Sequence, residues 1–442
     1  MTLTSIAMAV VAAFSSPLQA LHSATDDGAP SASAFLALER WRIEEAESLA
    51  TNVPPGPERD LLNGVIANRR GQIGRSIDLL RRRMPGYFRR SDRRTILAAM
   101  TLSDDYRKLS RFAEELAIDR LVLGRYAGLL TPSQRTEMQE RLDTARILKG
   151  TPATTVSWSG PVRLAMTREI VGLWSVPVSR RGVVARWSLD TGANYSVVSE
   201  STAKRLGLSI LDGSTTTGSS TTHRVSVRYA MVPELTLGTA TLRDLVVLVL
   251  ADEALHAKGP TFDYQIDGLL GYNAFAALGS ITFDRTGLFL ARPDAPPLAN
   301  SGPLLMNELI PVITVTVGGR PLPMSLDSGA NSTTLYQPYA EMFRAQAASW
   351  ATGKNTFMGA GGSVKADTLR QPRVEFALAG RKAALSDVTV LTSSHDGNAE
   401  ILFGNAGVDL VNSYASFTVD FRTMRVDAEQ VGDVQVPERG GN

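Results

Sequence analysis

The chain has 442 residues, with 46 Lys+Arg against 44 Asp+Glu and a formal charge of +2, so it carries no strong field to attract nucleic acid or an anionic bilayer. It has no cysteine, which excludes disulfides, thiol nucleophiles and thiolate metal sites, and its 4 histidines lack the short spacings of a zinc site. A G-x-S-x-G elbow for a serine nucleophile is also missing, which leaves carboxylates as the available catalytic groups.

Residues 1–20 hold an apolar run, Ile6 to Phe14, followed by small residues and Ala20. The run is too short to span a bilayer and reads as a signal peptide cut after Ala20, although no Lys or Arg precedes it. The expectation is an exported protein, periplasmic or secreted, with no stable membrane span.

Residues 21–150 read as a helical domain. The clearest helix is Pro132 to Leu148: Thr131 caps it, Pro132 suits the first turn, Gln134 completes a T-x-x-Q box, and Gly150 can end it. Met138, Leu142 and Ala145 fall on one face. Upstream, "GQIGRSIDLL" and "DDYRKLSRFAEEL" share a helical-pair rhythm that sets Ser76 and Ser110 34 residues apart (76 to 110), so tetratricopeptide-like repeats and a plain helical bundle are both open. The basic run from Arg81 to Arg94 reads as a solvated helix face and turn rather than a binding patch. This region is expected to fold as a separate unit and to offer a surface to a protein partner.

After Gly150 the texture changes to short β-rich runs broken by Gly, Pro, Asn and Thr, which predicts an all-β half. A Pro-rich connection, Ala291 to Pro303, divides it into lobes 151–295 and 296–442. The lobes repeat one another. "SLDTGAN" (Ser188 to Asn194) returns as "SLDSGAN" (Ser325 to Asn331), and Gly182 and Gly319 stand in hairpin turns eight residues before the respective Asp. A hydrophobic pair followed by Gly comes later, read as Leu269-Leu270-Gly271 and Leu402-Phe403-Gly404; "SITFD" then ends at Asp284 and "SFTVD" at Asp420. Ordered landmarks in register mean two copies of one β lobe.

Over Thr155 to Val426 these motifs resemble the aspartic peptidases of the pepsin and retropepsin clan, in the form of bacterial two-lobed retropepsin-like proteases with a helical amino-terminal domain. That resemblance implies two acid-protease barrels whose Asp190 and Asp327 form a catalytic pair. It also implies that Thr191 and Ser328 bond across to the opposite loop and that Gly192 and Gly329 let the backbone approach the carboxylates. Ala193 and Ala330 are closer to retropepsins than to pepsin. Glycine-tipped flaps are expected at Gly218 and Ser219 in the first lobe and at Gly359, Gly361 and Gly362 in the second.

Two carboxylates are needed because one must take a proton from water while the other, protonated, polarises the peptide carbonyl; like charges this close cannot both ionise. The expected activity is therefore that of an aspartic endopeptidase, active as a monomer on a peptide or protein held between the lobes, with no metal or organic cofactor implied. The alternative is an inactive lobe pair that binds peptides while the helical domain recruits a partner. Asp284, Asp420 and Asp267 read as turn residues, and Trp174 and Trp187 as core.

Overall fold

The computed structural model describes residues 3–6, 30–90, 92–218, 224–259, 262–393 and 402–431. Of the stretch read as a leader, Leu3–Ile6 falls among these; the rest of it, and Ser219 of the first flap candidate, lie outside the described residues. A helical region is followed by two β-rich lobes.

The helices run from Pro30–Glu39 to Pro132–Leu148. In the last of them Thr131 and Gln134 form a reciprocal capping box, and Met138, Leu142 and Ala145 are buried. Three helix pairs turn alike: Trp41, Gly71 and Ser110 take positive φ (57°, 68° and 55°). In each turn the next amide returns to the carbonyl five residues back, Arg42 to Ala37, Gln72 to Ala67 and Arg111 to Tyr106, all at 2.8 Å. These turns lie 30 and 39 residues apart (41 to 71, 71 to 110), because the short helix Met84–Arg90 is inserted before the third. Ser76 lies inside a helix and Ser110 in a turn, so the 34-residue spacing joins positions that are not equivalent. The basic run is drawn into local ion pairs, with Arg82 and Arg83 on Asp60 and Arg90 and Arg94 on Glu58.

An independent helical unit is not what the packing shows. Helix Arg93–Lys108 is buried at every residue from Thr95 to Arg107, so it needs a covering layer on both sides, and the lobes supply one. Its apolar cluster continues into Leu305, Val312, Tyr336 and Leu402 of the second lobe, while Phe112 and Leu148 join a first-lobe cluster with Val225, Tyr229 and Leu248. Polar contacts register the fit. Arg141, buried, donates to Glu308 at 3.0 Å, Thr144 and Tyr229 share a hydroxyl bond of 2.9 Å, and Glu140 accepts from Thr216 and Arg224.

Each lobe contains a matching hairpin, Trp174–Arg180 to Val183–Leu189 and Ile310–Val317 to Arg320–Leu326, turned at Gly182 (φ 80°) and at Gly318 and Gly319 (φ 56° and 77°). The lobes are joined by strands Ser280–Asp284 and Ser416–Asp420, antiparallel with Thr282 opposite Thr418 and their hydroxyls 2.8 Å apart. Ser280 faces Asp420 and Asp284 faces Ser416, so the pairing is symmetric about the threonine pair and a pseudo-twofold axis passes through it. Asp284 and Asp420 accept turn amides, of Thr286 at 2.7 Å and of Arg422 at 2.9 Å. Asp267, instead, is ion-paired to Arg205.

Candidate active site

Strands Val183–Leu189 and Arg320–Leu326 each deliver a loop to the axis, and the two loops interlock. Thr191 Oγ1 donates to Leu326 O (2.9 Å) and accepts from the Ser328 amide (2.9 Å); Ser328 Oγ donates to Leu189 O (2.8 Å) and accepts from the Thr191 amide (3.1 Å). Thr and Ser play the same part, since the geometry uses only the hydroxyl. The glycines allow the close approach. A Cβ on Gly192 would stand 2.7 Å from Asp327 Cγ, and one on Gly329 would stand 2.2 Å from Asp190 Cγ.

Asp190 and Asp327 are buried at this crossing, each with its Oδ1 bonded to the amide two residues on, Gly192 at 3.0 Å and Gly329 at 2.9 Å. The two carboxyls face one another closely enough that each perturbs the ionisation of the other. Burial, then the facing charge of Asp327, pushes Asp190 well above the ordinary carboxylate range. Burial raises Asp327 as well, opposed first by Asn405, whose Nδ2 donates to Asp327 Oδ2 at 2.8 Å, and then by the Gly329 amide. No amide or hydroxyl among the described residues reaches Asp190 Oδ2.

Asn405 does not stand out in the sequence because the hydrophobic-hydrophobic-Gly pattern falls three residues before the strand that meets Ser325 and Leu326. Leu269 and Leu270 lie beside Ser188 and Leu189, whereas Asn405 and Ala406 lie beside Ser325 and Leu326. The true repeat is Gly268-Leu269-Leu270-Gly271 against Gly404-Asn405-Ala406-Gly407, and Leu402-Phe403-Gly404 is not its counterpart. The surroundings agree. Asp190 N bonds Leu270 O and Asp327 N bonds Ala406 O, both at 3.0 Å, while Gly271 N meets Ser196 Oγ and Gly407 N meets Thr333 Oγ1. A Cβ on Gly271 or Gly407 would come within 2.5 Å of a crossing backbone carbon, of Tyr195 or Ser332. The readable signal was G-x-x-G placed 81 and 80 residues after the respective Asp (190 to 271, 327 to 407).

Strands Ala351–Gly359 and Gly362–Leu378 form a hairpin in which Gly359 pairs Gly362 and Gly361 takes φ 79° at the tip. The tip reaches the other lobe, where the Gly361 amide donates to Ala254 O at 3.1 Å and a Cβ would touch Val225. Gly218 ends the first-lobe strand Thr215–Gly218, which pairs with Arg224–Leu237. Trp187 is core, but Trp174 is only half-buried: its Nε1 donates to Asn412 Oδ1 in the opposite lobe at 3.1 Å, so it ties the lobes together. Among the described residues no group of three or more His, Asp and Glu could hold a metal ion, and no helix is long and apolar enough to cross a membrane.

A family model described as aspartyl protease matches residues 176–274 and 313–406, one stretch in each lobe. No curated protein matches the chain significantly. Among solved structures, basic 7S globulin from soybean aligns at 12% identity with a TM-score of 0.41, over 61% of this chain and 95% of that one.

Proposed function

The two β lobes are those of a pepsin- and retropepsin-like aspartic peptidase, and from that premise we propose that the chain is an aspartic endopeptidase whose hydrolytic water is held between Asp190 and Asp327. The observation that carries this reading is the pair of buried carboxyls, each lying against the glycine of the other's loop, with both cross-loop hydroxyls in place. In such a pair the ionised carboxylate takes a proton from the water, and the protonated one donates to the scissile carbonyl oxygen. The resulting gem-diol collapses as its C–N bond breaks, with a proton delivered to the leaving amine. Both aspartates come from one chain, so no second copy is needed to complete the pair.

An extended substrate suits the cleft. Strand Ala351–Gly359 offers its outer edge to another strand, and Leu3–Ile6 pairs with it in parallel, Leu3 opposite Asn355 and Ile6 opposite Met358. On the export reading, cutting after Ala20 removes that strand and leaves the edge to substrate. Entry also requires the hairpin tip to lift from Ala254, since both aspartates are buried. Helix Pro132–Leu148, through Glu140, braces the first-lobe hairpin at Thr216 and Arg224, and the outward helix faces are where a protein partner would dock.

The test is cleavage of a mixed peptide library by the exported form, with new termini read by mass spectrometry. Cleavage abolished by a statine peptide and by Asp190→Asn supports the proposal. Statine-peptide binding without cleavage, at every pH where the chain is folded, would establish the peptide-holding alternative instead.

A further inference from the structure

Resting on the dyad reading above, we propose that Asn405 assigns the two roles within the pair: it holds Asp327 as the ionised member, so that Asp190 carries the shared proton. Asn405 acts through Asp327 and is a positioning residue.

The two loops are otherwise close to mirror copies. Each has an Asp, a crossing hydroxyl, a Gly amide on Oδ1 and an Ala after the Gly. The symmetry breaks at one register position, beside Ser188 in the first lobe and Ser325 in the second, where the chain places Leu269 and Asn405. Leu269 is buried in an apolar cluster and has nothing to donate. Asn405 Nδ2 donates to Asp327 Oδ2 at 2.8 Å, and its orientation is set from behind by Ser325 Oγ, which donates to Asn405 Oδ1 at 2.6 Å. The amide therefore presents N–H to the carboxylate.

A buried negative charge settles where donors are. Asp327 has donors on both oxygens; Asp190 has one on Oδ1, while Oδ2 receives none among the described residues. A proton on Asp190 converts that pair of unequal acceptors into one donor and one acceptor, and no carboxyl oxygen is then left as an unserved anion. The burial and facing charge that raise Asp190 act in the same sense. The ionisable group facing each aspartate is the other one. Asp409, farther along the second-lobe loop, is engaged by the Thr333 hydroxyl and by the Thr333 and Leu410 amides. In catalysis Asp327 then takes the water's proton and Asp190 donates to the carbonyl.

The experiment follows the carboxyl carbons of [γ-13C]aspartate-labelled full chain by NMR against pH, with Asp190→Asn and Asp327→Asn identifying the two signals. In the wild type the lower step of the coupled titration is expected at Asp327 and the upper at Asp190. Asn405→Leu, which installs the residue of the first lobe, and Asn405→Ala both remove the donor. The ionised Asp327 is present on both sides of the upper step, so only the lower step should move, upward by about one to two pH units. The acidic limb of kcat/KM should move with it while KM at the optimum holds. An upper step at Asp327 in the wild type, or variants that shift the upper step and leave the lower one, would overturn the assignment. If both variants fail to fold, the wild-type titration alone decides. A chain that titrates as expected but cleaves nothing leaves Asn405 its role and removes the peptidase reading, so the two failures are distinct.

Discussion

Substituting Gly329 by Ala tests whether the loops must cross as closely as they do. The added Cβ would sit 2.2 Å from Asp190 Cγ and 2.4 Å from both carboxylate oxygens, against a normal contact that begins at 3.4 Å. Asp190 or the second loop must then give way by about 1.2 Å, the difference of those distances. Gly192→Ala faces Asp327 Cγ at 2.7 Å and asks for about 0.7 Å. A misplacement of about 1 Å at a reacting group costs about a hundredfold, or roughly 2.7 kcal/mol of barrier. Gly329→Ala should therefore lose on the order of two to three powers of ten in kcat/KM, and Gly192→Ala roughly one to two. Gly319→Ala is the control for backbone strain without crowding, because its φ is 77° but nothing lies within 4 Å of the new methyl. The assay is hydrolysis of a fluorogenic peptide selected from the library, with circular dichroism confirming that each variant is folded. Retention of more than about a tenth of activity by Gly329→Ala, or a larger loss at Gly192 than at Gly329, would refute the reasoning.

Asp190→Asn and Asp327→Asn should each leave under about a hundredth of turnover while unfolding no earlier than wild type, because each ends the crowding of two buried carboxyls around one proton; higher residual activity sinks the two-carboxylate mechanism. Thr191→Val strips a crossing hydroxyl and orphans the Ser328 amide and Leu326 carbonyl, at a cost of about 2 kcal/mol or more in urea unfolding, whereas Thr191→Ser should cost little. Equal losses from the two would show that the hydroxyl is not what holds the loops. Activity should fall as pH rises through the raised Asp190 value, placing the upper limb of kcat/KM nearer neutrality; a wild-type optimum at about pH 2 to 3 would contradict this. In the helical region burial pushes Asp105 up to about 7 from 3.8, so the folded state binds its proton more tightly than the unfolded chain does. Its contribution is full below the unfolded value and is lost as pH rises toward about 7, so Asp105→Asn should flatten the decline in thermal stability across that window, and an unchanged slope would be evidence against it.

What could be read from the sequence was what chemistry demands by residue type. Asp190 and Asp327, their hydroxyl neighbours and the crossing glycines each fill a role few side chains can fill, so they stand out without any structure. Apolarity points to Leu402-Phe403-Gly404 and away from the G-x-x-G element, because Gly is what the crossing backbone requires and Asn405 replaces a leucine inside it. Asn405 has meaning only through strand register, which a string of letters does not display. The shared core between helices and lobes was hidden for another reason: Arg141 and Glu308 are 167 residues apart, Thr144 and Tyr229 are 85 apart, and each alone reads as ordinary polar surface. The turn repeat among the helices was obscured by one inserted helix, which stretched its period.

The pairing of Ser280–Asp284 with Ser416–Asp420, and of Gly302–Asn307 with Arg425–Glu429, has a consequence for synthesis. A growing chain acquires Asp190 and Asp327 long before it acquires Ser416, so the strands that clamp the lobes about their common axis can pair only after both active loops have been made. Contacts of such long sequence separation form late, since loop closure must precede them. A nascent or carboxy-terminally truncated chain thus holds both aspartates without the clamp that brings them together. On the peptidase reading, hydrolytic competence waits until translation has passed the second clamping strand.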